Sequence, residues 1–394
     1  MKKVLFKLSI TILIAFFFSS CFDPIFYTIS QEVPKLDPYI NGAATNFTKT
    51  SGGDIYAASG KTLYKYNGLT GSWNRSSVPT PPGGLIRQLA ITNKYLYALC
   101  ETESGIKLKY ADYNQPSLNW NEFTINNLQT IFAVSNILYI SVRNIEEIEK
   151  LPDNNKRVLY SISYIIDDGA VTPIAGLDKV SQLVGAAFNG NADYYLCTKD
   201  GYYFSSGSST GFAAGNFCVI TSTIDSPDEF VGIISLGKGD KVAAISRMGK
   251  LFDVTPNADL GPIIAGFIDT RSATGALAVY TIDGYNLLLA GRQDMGYSTS
   301  SGYTYGYVEI EFDDLGNISD PTRRFWVPGE TGKPSTVDDQ TRFINSIGKN
   351  PVNYIIQVKP DDKLLFAVTQ KNGIWSYRER NQDNKLQWQW NAEE

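Results

Sequence analysis

Leu89-Ala-Ile-Thr-Asn-Lys-Tyr-Leu-Tyr-Ala-Leu-Cys100 decides the fold. It joins the end of one apolar strand, a tight polar turn, and a second strand that is apolar on both faces. The unit recurs as Phe47–Ser59, Phe132–Val142 and Ala186–Cys197, and again as Ile234–Ser246, Val279–Gly291 and Gln357–Thr369. A strand with no polar face is expected only where a sheet is covered on both sides.

Second strands begin near Ile55, Leu96, Leu138, Tyr194, Val242, Leu287 and Leu364. Most intervals are roughly 40–57 residues, the range of four-stranded propeller blades. The last is about 77, which places an insertion before the final unit. Third strands rich in aromatics follow one turn later, at Thr62–Tyr66, Lys107–Tyr110, Val158–Tyr164, Gly201–Phe204, Lys250–Val254, Tyr305–Phe312 and Gly373–Tyr377. Fourth strands are weaker, at Ser72–Asn74, Asn119–Phe123, Phe217–Ile220, Arg324–Val327 and Leu386–Trp390. Tryptophan recurs in them, which suits an outer strand lying against the neighbouring blade. Helical periodicity is nearly absent, with room for a turn or two at Asn144–Leu151. A pair of β-sandwiches gives no reason for seven similar hairpins at near-regular spacing. The expectation is therefore an all-β chain, a β-propeller of seven blades with four antiparallel strands each.

Composition limits the chemistry. The 394 residues contain no histidine. That removes Ser-His-Asp hydrolysis, Cys-His proteolysis, imidazole metal sites and histidine acid–base work. Catalysis would have to run on carboxylates, tyrosine, lysine or arginine. The 43% hydrophobic content is enough for a sizeable core, and 24 Tyr with 20 Phe suit strands.

The amino-terminal stretch has a different character. Met1-Lys2-Lys3 is followed by an apolar run from Val4 to Phe18 and then by Ser19-Ser20-Cys21. A positive start, a greasy middle and small residues before a cleavage point form a secretory signal. The run is shorter than the ~20 residues a bilayer-spanning helix needs. Phe18-Ser19-Ser20-Cys21 resembles the lipobox of bacterial lipoproteins, and phenylalanine in place of the usual leucine is similar to spirochaete lipoproteins. The resemblance covers only the first two dozen residues. It implies cleavage before Cys21, diacylglycerol on the thiol and an acyl group on the new amino terminus. Two or three chains give durable attachment where one does not.

The expected layout is a cleaved signal over 1–20, a lipidated, proline-dotted tether over 21–41, and a propeller over 42–394 with a polar insertion at about 313–350. Loss of Lys2, Lys3 and Lys7 with the signal leaves 32 of 35 basic residues against 40 acidic ones, a net charge near −8. That argues against nucleic acid as a partner.

Candidate sites are few. Cys197 and Cys218 fall on the second and fourth strands of one blade, hence ~9–10 Å apart and beyond disulfide reach. Together with Cys100 they are expected as buried free thiols. Asp167-Asp168, Asp313-Asp314, Asp361-Asp362 and Asp283-Gly284 read as turn residues rather than as a calcium loop. No sialidase Asp-box and no WD dipeptide is present. Tyr297 and Tyr303, set among glycine and serine, are candidate contacts for sugar or protein, whereas Tyr305 and Tyr307 read as strand residues. No metal or cofactor is expected. The expected function is a membrane-anchored, extracytoplasmic, non-enzymatic binding or scaffold module in the cell envelope, with a protein or glycan partner and membrane lipid at Cys21. The alternative is a carboxylate-based glycan hydrolase or lyase, which requires two carboxylates converging at the propeller's central mouth.

Overall fold

The computed structural model describes residues 40, 42–74, 78–144, 159–213, 216–219, 228–254, 262–264, 273–282, 284–292, 306–318, 347, 351–370, 373–382 and 385–393. They form a seven-bladed β-propeller in which every blade uses strands consecutive in the chain. Blades 1 to 7 occupy 48–74, 85–123, 128–173, 183–219, 230–264, 273–312 and 352–392. All pairings within blades are antiparallel, so each blade is a meander running from an inner first strand to an outer last one. Six blades have four described strands, and blade 6 has three. The fourth strand expected there, Arg324–Val327, lies outside the described residues, as does most of the helical turn expected at Asn144–Leu151. Among the described residues there is no α-helix. None is therefore long and apolar enough to cross a membrane.

The doubly apolar second strands explain the arrangement. In Tyr95–Thr102 of blade 2, Leu96, Ala98 and Cys100 pack against Tyr56, Ala58 and Leu63 of blade 1. The alternate residues Tyr95, Tyr97 and Leu99 pack against Leu138, Ile140 and Ile165 of blade 3. Each strand thus supplies two interfaces through its period of two. The remaining apolar clusters repeat the pattern between blades 3 and 4, 4 and 5, 5 and 6, and 6 and 7.

The seventh interface closes the ring without exchanging a strand. Ile55, Ala57, Tyr64 and Tyr66 of blade 1 meet Phe366, Val368 and Ile374 of blade 7. Ile40 is fully buried there, and its carbonyl accepts from the Ile374 amide at 3.1 Å. The body therefore grips the chain at Ile40, ahead of the boundary expected at residue 42, because that side chain fills the seam. Two of the fourth-strand tryptophans, Trp73 and Trp390, lean on the preceding blade, as their recurrence suggested. Trp73 lies 5.1 Å from Phe366, and Trp390 lies 5.8 Å from Tyr307 and donates to its hydroxyl.

The polar insertion opens as an ordered turn. Asp313 accepts from the amides of Leu315 and Asn317, and Ile318 bridges back to Phe312. Residues 319–346 lie outside the described set.

Two consequences are measurable. Gly275 has φ +88°, and a Cβ there would meet the Val231 carbonyl oxygen at 2.2 Å. Gly275→Ala is expected to destabilise the protein by about 2 kcal/mol or more, read as a lower urea midpoint. The second concerns alkali. Burial raises the Cys100 thiol to about 11, the Tyr203 phenol to about 12, and Tyr97, Tyr139 and Tyr195 further still. A group whose folded pKa exceeds its unfolded value stabilises below the unfolded value and loses that contribution as pH rises. With no histidine to titrate, Tm should stay nearly flat from about pH 6 to 9. It should fall first with the thiols and then steeply above about 10 with the phenols. Phenolate absorbance should rise together with loss of strand circular dichroism; phenolates forming in still-folded protein would contradict this.

Candidate functional site

The inner strands leave an axial channel of about 620 Å³. Its wall is mostly apolar: Phe47, Phe132, Val184, Ala186, Ile234, Leu277, Val279, Tyr354 and Ile356 all line it. The pattern of the blade 6 inner strand shows why. Along Ala273–Ile282, Ala276, Ala278, Tyr280 and Ile282 are buried in blade interfaces, while Leu277, Val279 and Thr281 are half-buried beside the channel.

An inner strand is a sheet edge, and its outward backbone groups need partners. Side-chain amides supply them at three places. Asn46 donates to the Leu89 carbonyl at 2.7 Å and accepts from the Leu89 amide at 2.8 Å. Gln88 does the same for Ile131 one blade on, and Gln357 does it for Thr281. A carboxamide carries one donor face and one acceptor face, so it matches a peptide group. Thr130 and Thr274 donate to the carbonyls of Leu183 and Val352. Between blades 4 and 5, and between blades 5 and 6, close approach takes their place. A Cβ on Gly185 would meet Ile233 at 2.7 Å, and one on Gly232 would meet the Gly275 carbonyl at 2.6 Å. Blades 2 to 7 each carry a register shift near the start of the inner strand, a bulge that bends it around the axis.

Thr274 reaches Val352 while Gln357 reaches Thr281, so the inner strands of blades 6 and 7 run in the same direction. The turns from first to second strand then gather at one mouth. Lys49 and Lys238 line the channel near it, and Lys359 follows the blade 7 inner strand. Lys238 is neutralised by Asp314 at 2.9 Å. Lys49 has no carboxylate partner among the described residues, and burial followed by repulsion from Lys359 lowers its pKa. Tyr354 is 38% exposed within the channel, where the surrounding wall partly desolvates its hydroxyl and raises its pKa. No described lining residue is Asp or Glu, so the carboxylate pair that a glycan hydrolase needs is not found in the described wall.

The acidic pairs serve turns. Asp167 and Asp361 adopt φ of 52° and 58°, and Asp362 accepts from the Leu364 amide. Asp283 lies outside the described residues. Among the described residues no cluster of His, Cys, Asp and Glu is placed to hold a metal. The three described cysteines are free; Cys100 and Cys197 are buried as expected, whereas Cys218, on the outer strand of its blade, is only half-buried. Cys197 stands opposite Tyr202, and Tyr202 opposite Cys218, so a whole strand separates the two thiols. Tyr307 is buried in the blade 6–7 interface. Cys21, Tyr297, Tyr303 and Tyr305 lie outside the described residues.

No protein-family model matches the chain, and no curated protein matches it. Solved structures do. The extracellular domain of BT4673 from B. thetaiotaomicron aligns with TM-score 0.53 at 14% identity, over 89% of this chain and 40% of that one. The chain thus spans less than half the length of that protein. YCF48 from Cyanidioschyzon merolae aligns with TM-score 0.52 at 7% identity, over 86% of this chain and 96% of that one. YCF48 bound to D1 peptide gives 0.50 at 11% identity, over 87% and 93%. At these identities the likeness is one of fold.

The amide staples yield a mutational expectation. Gln88→Leu leaves both Ile131 backbone groups unpaired and should cost about 2 kcal/mol. Gln88→Glu, which cannot donate to the carbonyl, should also destabilise at neutral pH. Gln115→Leu, on an exposed turn, should stay within about 0.5 kcal/mol. Urea unfolding of the three variants checks the order.

Proposed function

We propose that the chain is a non-enzymatic binding or scaffold propeller held outside the cytoplasm by acyl chains on Cys21. The observation that carries the reading is the axial channel: mostly apolar, open to solvent, and free of carboxylates among its described residues. A wall of that kind suits contact rather than acid–base chemistry. Two comparisons support the direction. One similar structure is an extracellular domain, and another was solved with a peptide bound. A protein or glycan partner would be met at the faces of the disc; Tyr297 and Tyr303, which lie outside the described residues, are the candidate contacts. The leader over 1–20 would direct export, and the stretch from Cys21 to the gripped Ile40, with Pro24, Pro34 and Pro38, would act as a semi-extended spacer between bilayer and body.

The anchor is tested with tagged full-length protein and a Cys21→Ala form in the native host or a diderm surrogate. Wild type should enter the detergent phase and take up an alkyne-palmitate label, and Cys21→Ala should do neither. Equal partitioning of the two forms would remove the anchor from the reading. The binding role is tested by cross-linking in intact cells followed by mass spectrometry. Recovery of one envelope partner, lost when Tyr297 and Tyr303 are both changed to Ala, is the expected result. Catalytic turnover of a glycan by the purified protein would overturn it.

A further inference from the structure

We propose that the axial channel binds an amphipathic carboxylate of the fatty-acid class, with the alkyl chain along the apolar wall and the carboxylate at Lys49. The inference rests on the reading of the channel as a binding site and is independent of the anchor at Cys21.

Size comes first. A volume of about 620 Å³ lies within the roughly 300–1,000 Å³ typical of small-molecule sites. The wall then selects chemistry. Phe132, Val184, Ile234, Leu277, Val279 and Ile356 come from blades 3 to 7 and offer an alkyl chain continuous apolar contact. Asn46 and Gln357, the amides of the wall, are already engaged with the backbones of Leu89 and Thr281, so the side chains of the wall make few polar demands on a guest. A sugar, with a hydroxyl on nearly every carbon, would lose water on entry and recover little.

Charge fixes the orientation. The two lysines of the described lining are not equivalent. Lys238 is occupied by Asp314, whereas Lys49 meets no described carboxylate and has Lys359 for a neighbour. Asp54, close in sequence to Lys49, is held by Lys65 at 2.7 Å. Lys49 is therefore the cation of the described lining that no described carboxylate answers. A guest carboxylate answers it, while a neutral or cationic amphiphile does not. A charge-assisted bond to a partly desolvated amine is also stronger than one in water.

The test uses exported full-length protein carrying Cys21→Ala, so that no acyl chain of its own competes, titrated calorimetrically with laurate and with dodecanol. Laurate should bind at one site with a micromolar dissociation constant. Lys49→Met should weaken laurate at least tenfold and leave dodecanol unchanged. Leu277→Gln should weaken both, and Lys61→Met, on an exposed turn, should alter neither. Thermal melts show that each variant is folded before titration. Lack of laurate binding, binding at many equivalent sites, or indifference of laurate to Lys49→Met would overturn the inference. If an envelope partner is nevertheless cross-linked, the scaffold reading survives that failure.

Discussion

A sheet of four short strands with two apolar faces has no stable existence in water, and that condition governs this molecule. Leu96, Ala98 and Cys100 face one neighbour while Tyr95, Tyr97 and Leu99 face the other. Neither face can be left uncovered, since each fully buried large side chain contributes about 1.5–3 kcal/mol. A linear stack would leave a greasy face at each end. Closing the stack into a ring removes both ends at once, and seven apolar clusters for seven blades is the signature of that closure.

Six of the interfaces join blades that follow one another in the chain, so local sequence helps to hold them. The seventh joins blades 7 and 1 and depends on side chains and a few backbone bonds. Ile40 and Gly42 accept from the amides of Ile374 and Gly373. Beside them Glu393, 3% exposed, receives the Arg378 guanidinium and the Ser376 hydroxyl. Arg378 in turn lies over the Phe366 ring of the seam cluster. A buried carboxylate is tolerable only when its oxygens are paired in this way. The arrangement fixes the C-terminal strand where loss of the seam would reopen the ring.

Elements written in local pattern were legible before any coordinates, and elements written in space were not. Hairpins announce themselves through alternating apolar residues and Asp, Asn or Gly turns, so the second strands and the free thiols followed from strand arithmetic. The fourth strand of blade 3, Thr172–Pro173, is two residues long and exposed at both, so no alternation marks it. Asn46 and Gln88 are invisible for another reason. Each holds a backbone 43 positions away, one blade along the chain. A polar amide recurring on inner strands at the blade interval was the only sequence trace of that role. Lys49 reads as an ordinary surface lysine until the ring brings Lys359 beside it.

The channel follows from the same constraint as the blades. Wedge-shaped sheets arranged about an axis cannot meet at a point, because backbones there would collide. The inner edges stop short and leave space whose walls are edge strands. An unmodified edge would present bare amides and carbonyls and draw in water or a foreign strand. Asn46, Gln88, Gln357, Thr130 and Thr274 turn those groups sideways into bonds between blades. At those places what faces the axis is side chain rather than backbone, and in this chain the lining is chiefly aliphatic and aromatic. The staples that complete the ring therefore also set the character of its interior. They leave Lys49 as the charge in that wall that no described carboxylate answers.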